Sequence, residues 1–134
     1  MKKIKCAAAT VLALAAAGSA MAAPAAATAN DDAMIALATR SGCLTCHSIK
    51  PALPSDQGAK PIGPAWADVA AKYRDQKGAV KKLTATVMQG SNPYSSHWKG
   101  KVTGLAMPPN AVAIHRDEAR QLVQWILSLD GQKT

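Results

Sequence analysis

Cys43-Leu44-Thr45-Cys46-His47 concentrates more reactive groups than any other stretch of this chain. Two thiols three positions apart, followed at once by an imidazole, could do one of three things. They could form thioether bonds to the two vinyl groups of one haem, with the histidine ring turned onto the iron, the five-residue pattern of c-type haem attachment. They could be the reactive pair of a thioredoxin-like site, which sits at a helix start in an α/β fold. They could be half of a structural zinc site, which needs further cysteines or spaced histidines. The rest of the chain shows no convincing strand pattern, and the remaining His97 and His115 lack zinc spacing. Haem attachment is the expectation.

A haem bound by one histidine still has a sixth position, and its occupant decides the chemistry. An open position permits oxygen or peroxide reactions; a second strong protein ligand blocks them and leaves electron transfer. Met107 lies in Leu105-Ala106-Met107-Pro108-Pro109-Asn110, an irregular segment stiffened by its prolines and able to cross the far face of the ring. Met34 and Met88 fall on helical stripes and read as core filler. His97 is the rival for the sixth position, since two imidazoles would also saturate the iron.

These groups need elements to carry them. Asn30-Asp31-Asp32 offers a cap and two acids for a helix from about residue 31 to Ser41, with Met34, Leu37 and Ala38 at helical spacing and Gly42 at its end. Ala65 to Tyr73 forms a second helix, with Trp66, Val69 and Tyr73 on one side. Gly78 to Gln89 forms a third, with Val80, Leu83, Val87 and Met88 inward and Gly90 just past its end. Arg116-Asp117-Glu118 opens the last, whose stripe is Ala119, Leu122, Val123, Ile126 and Leu129 with Trp125 beside it. The fold class is therefore all-α: about four short helices and two long loops, 48–63 and 91–106. Loops this long in a small domain are expected to wrap around something.

The first 22 of the 134 residues have the layout of a cleaved secretory signal peptide. Met1 to Lys5 is a short basic start, Cys6 to Ala17 an unbroken small or apolar run, and Ala20-Met21-Ala22 a cleavage site. The run is Ala-rich and short of the roughly 20 strongly apolar residues that span a bilayer. Cys6 leaves with the signal, so the mature chain keeps two cysteines. Basic residues fall from 16 to 13 against 8 acids, and the formal charge from +8 to +5. No Arg/Lys cluster interleaved with aromatics remains, which argues against a nucleic-acid partner. About 112 residues without a single Phe make a marginal core, and a bound cofactor would supply the missing apolar surface. Residues 23–30 read as a flexible leader and 31–134 as the folded domain.

Four motifs in order, together running over most of the mature chain, resemble the class I cytochromes c of the short bacterial c-551/c8 type. They are Gly42-Cys43 to His47, Gly63-Pro64-Ala65-Trp66 with Asp68-Val69-Ala70, Met107-Pro108-Pro109-Asn110-Ala111-Val112, and Asp117-Glu118-Ala119 with Trp125-Ile126-Leu127-Ser128. The resemblance implies a cytochrome c domain with one covalent haem c. Cys43 and Cys46 match the thioether cysteines, and His47 and Met107 the axial iron ligands. Pro64 resembles the proline whose carbonyl accepts the His ligand's ring N–H. Trp98 resembles the loop tryptophan that hydrogen-bonds a haem propionate. The last helix is expected to cross the first close to Gly42, where a side chain would hold them apart. The loops between His47 and Pro64 and between Trp98 and Met107 are longer than in short family members, and two extra residues precede the last helix.

The function expected is a periplasmic one-electron carrier, not an enzyme, monomeric unless complexed and without stable membrane insertion. Lys50, Lys60, Lys72, Lys99 and Lys101 would steer it to redox partners with acidic docking surfaces. The alternatives are a cytochrome subunit of a periplasmic dehydrogenase or oxidase complex, and a five-coordinate haem protein that reacts with gases or peroxide.

Overall fold

A computed structural model describes residues 23–51 and 58–129; the predicted signal peptide lies outside them. All regular structure among the described residues is helical. Helix α1 spans Ala23–Arg40, α2 Trp66–Tyr73, α3 Ala79–Gln89 and α4 Arg116–Ser128, and a single 3₁₀ turn covers Cys43–Thr45. The last three α-helices lie within a residue or so of their predicted bounds. The α/β context of a thioredoxin-like site is not there, and no three His, Cys, Asp or Glu residues come together among the described residues to hold a zinc ion. No helix among them is long and apolar enough to cross a membrane.

Helix α4 is the hub, packing against α1, α2 and α3. Its periodic stripe dictates this: Ala119, Leu122, Val123 and Ile126 are all buried, as is Trp125. Leu37 and Ala38 of α1, Trp66 of α2 and Ile114 join the same core, with Met34, Val87 and Met88 packed at its edge. Ala38 and Ala119 are completely buried; such small side chains let two helix backbones approach closely.

Two expectations change at α1. The helix already covers Ala23, the first described residue, ahead of the cap predicted at Asn30, so the segment read as a flexible leader is helical. Alanine is the strongest helix former, and five of the eight residues 23–30 are Ala. Asp31, freed from a terminal role, accepts the indole N–H of buried Trp125 at 2.7 Å and ties α1 to α4. The second change concerns Gly42. A Cβ there would meet nothing within 4 Å, so no close helix crossing requires the glycine. Its φ of +73° does: it ends α1 in the left-handed region, where its N–H reaches Thr39 O at 3.0 Å.

Glu118 closes the start of α4. Its carboxylate accepts the His115 N–H at 3.1 Å and an Arg40 N–H at 2.9 Å, and these bonds hold its pKa below the usual value. A depressed carboxyl stabilises the fold above its unfolded pKa and loses that contribution as pH falls through the folded one. Glu118→Gln should therefore lower the thermal midpoint modestly at pH 7, and the gap to wild type should close in acid. Melting curves across pH check this.

Candidate functional site

The α2, α3 and α4 helices and the described parts of the two long loops line an open cavity of about 1080 Å³, the solvent at its mouth included. Cys43, Cys46 and His47 line it from one side of the sequence and Met107 from the other. Trp66, Val69, Leu83, Val87, Leu122 and Val123 make its apolar wall, and among the described residues no Asp, Glu, Lys or Arg lines it.

The 3₁₀ turn sets the first wall. Cys46 N–H and His47 N–H both donate to Cys43 O, at 3.3 and 3.1 Å, which brings the two cysteines and the histidine together over one turn. Both cysteines are free thiols. Burial pushes the Cys43 thiol above the ordinary range, so it is neutral at pH 7. A neutral thiol can add across a vinyl group without any net oxidation.

His47 is fixed from three directions. Its Nδ1 lies 2.7 Å from the Pro64 carbonyl; a carbonyl only accepts, so Nδ1 carries the proton and Nε2 keeps a lone pair. Burial, opposed by that bond, lowers the ring's pKa and keeps it neutral. Trp66 stacks on the ring with centroids 6.0 Å apart, and Trp125 meets Trp66 edge-on at 5.7 Å.

Gly63 closes the third side. Its N–H donates to Cys46 O at 2.8 Å, and a Cβ there would stand 2.9 Å from His47 Cε1 and 3.0 Å from Cys46 O. Neither neighbour can yield easily. Gly63→Ala is therefore expected to destabilise the protein by about 1–3 kcal/mol, the usual cost of overpacking. Denaturant unfolding of the haem-loaded protein measures it.

The other long loop is joined to this shelf. Thr103 N–H donates to Pro61 O at 2.8 Å and Gly104 N–H to Ile62 O at 2.9 Å. Gly104 has no room for a side chain, since a Cβ would lie 2.6 Å from Ile62 O. Beyond it, Met107 is half-buried at the cavity. Trp98 also lines the cavity, with His97 edge-on at 4.8 Å and the Lys101 ammonium 5.7 Å from its ring centre. His97 is exposed beside Lys101, whose Nζ lies 3.3 Å from its ring, and is not on the cavity wall. The roles of Gly63, Gly104 and Trp66 at this site were not evident from the sequence, although Gly63 and Trp66 stand in its motifs.

A flat apolar group with two vinyl arms and a metal centre suits these residues: two thiols, an imidazole lone pair and a thioether round a slot without charge. No protein-family model matches the chain. Individual proteins do. Cytochrome c-552 of Hydrogenobacter thermophilus is 40% identical over 93 residues, 69% of this chain and 78% of that protein. Cytochrome c-551 of Allochromatium vinosum is 41% identical over 95 residues, 71% and 84% of the two chains. The crystal structure of wild-type Nitrosomonas europaea cytochrome c552 aligns with a TM-score of 0.52 at 34% identity, over 70% of this chain and 96% of that one.

The fold is that of a class I cytochrome c, and the chain belongs to that family. Within it, these relatives place the chain with the c-551/c-552 type. The family consists of electron-transfer proteins, not enzymes, with a single covalently bound haem c.

Proposed function

We propose that the chain is an exported, periplasmic one-electron carrier. Its haem is bonded to Cys43 and Cys46 and held on the two faces by His47 and Met107. One observation carries this: those four side chains line a single apolar cavity although Met107 stands sixty residues from His47 in the sequence.

The haem supplies a one-electron ferric/ferrous couple, and everything else falls to the protein. Pro64 holds the Nδ1 proton of His47 and so keeps Nε2 available and its ring oriented. The uncharged wall disfavours the extra positive charge of ferric iron, and a thioether ligand acts in the same direction, so both raise the potential. Trp98, on the cavity wall, would offer its indole N–H to a haem propionate.

Partner choice follows from the rim. Residues 58–66 and 90–113, which supply more than half of the cavity's lining residues, contain no Asp or Glu. Lys60, Lys99 and Lys101 lie there, and Lys50 and Lys72 stand in neighbouring segments, all exposed. Such a surface favours acidic docking partners through association rate. Residues 1–22 direct export and are removed.

The reduced protein's response to carbon monoxide at neutral pH tests the ligation. With both axial positions filled, no rapid binding is expected. Rapid binding would overturn the proposal in favour of a five-coordinate, gas-reactive haem.

A further inference from the structure

Met107 sits in a segment with little apolar burial to hold it. Ala106, Pro108 and Pro109 are exposed, and Met107 itself is only half-buried. What holds the segment is polar and comes from the end of α3. Met107 N–H donates to Ser91 Oγ at 2.8 Å, and Ser91 N–H donates back to Met107 O at 2.9 Å. Three residues on, Asn110 N–H donates to Val87 O at 3.0 Å.

The approach is close. Gly90 has a φ of +83°, and a Cβ on it would lie 2.9 Å from Met107 O and 3.1 Å from the Pro109 ring. The glycine lets the chain turn out of α3 and bring Ser91 directly against Met107. Helix α3 is itself packed on α4, so Ser91 is fixed to the hub of the fold. Both Ser91 and Met107 line the cavity.

We infer that Ser91 is a positioning residue for the electron-transfer site. Its hydroxyl and amide grip the Met107 backbone from both sides and so set where the thioether sits relative to iron. This rests on Met107 being the sixth ligand. The serine does not touch iron. Its effect is on how often the thioether lets go: without the Oγ acceptor, the Met107 amide loses its partner and the segment is held at one point fewer.

The experiment compares haem-loaded wild type with Ser91→Ala, Ser91→Thr and Met107→Ala. It reads the rate of carbon monoxide binding to the reduced proteins, which requires the sixth position to open. It also reads hydrogen exchange at the Met107 amide. Ser91→Ala should bind carbon monoxide roughly three- to tenfold faster than wild type, the range that one net hydrogen bond is worth. Ser91→Thr, which keeps the hydroxyl, should return to within about twofold of wild type on the same basis. The Met107 amide should be protected in wild type and lose protection in Ser91→Ala.

A Ser91→Ala protein with wild-type carbon monoxide kinetics would overturn the inference even if it melted at lower temperature, because that is the behaviour of a residue that only stabilises the fold. An unprotected Met107 amide in wild type would overturn it without recourse to any variant. Met107→Ala separates the two levels. If it opens the site while Ser91→Ala does not, only the role of Ser91 falls. If it leaves the kinetics unchanged, the ligand itself is wrong and Ser91 falls with it.

Discussion

Met107→Ala should convert a haem closed to small ligands into an open one. The reduced variant is expected to bind carbon monoxide at least ~100-fold faster than wild type, since a competing ligand worth even about 2.8 kcal/mol suppresses the open state by that factor. Its reduction potential should fall at the same time, because the thioether favours ferrous iron. Stability should fall by an amount comparable to an ordinary core truncation, about 2–5 kcal/mol, because the lost ligand bond adds to the loss of a half-buried side chain. A variant with unchanged kinetics and potential would mean that the methionine is mere lining.

The second large effect concerns attachment. Cys43→Ala with Cys46→Ala leaves the slot and both axial groups in place but removes the covalent tether. The haem should then leave the protein in acid–acetone, as it should not in wild type. The fold should weaken as well. Trp66, Leu122, Val123 and Ile126 are buried core residues that also line the cavity, and a domain of this size is marginal without added apolar surface. Haem held only by equilibrium stabilises in proportion to its excess over the dissociation constant, about 2.7 kcal/mol at a hundredfold excess. Loss of a contribution of that order on dilution corresponds to a drop in thermal midpoint of roughly 10–20 °C. Melting the variant at two protein concentrations checks it: the midpoint should depend on concentration in the variant and not in wild type.

Local patterns were readable from the sequence. The cysteine pair and its histidine span five consecutive residues, and their mutual geometry is made by one turn. Helix α4 was legible because five buried side chains recur at helical spacing in a segment opened by two acids. The Pro-Pro segment drew attention to Met107 because its stiffness is a property of adjacent residues. Contacts between irregular segments were not legible. Ser91 meets Met107 across sixteen positions, and Gly104 meets Ile62 across forty-two, with no periodicity to announce either pairing. The start of α1 was misjudged for another reason. Asp31 and the residues around it look like a helix cap, but Asp31 is used by an indole ninety-four residues away. Gly42 was placed correctly and explained wrongly: the need is conformational, and no crowding by a neighbouring helix enters.

Mass spectrometry of the intact protein, matured in a cell that exports and assembles such proteins and then denatured to strip any loosely held ligand, bears most directly on the whole account. The expected species is the chain from Ala23 to Thr134 carrying the added mass of one haem, and coloured. A colourless product weighing only as much as its polypeptide would contradict it.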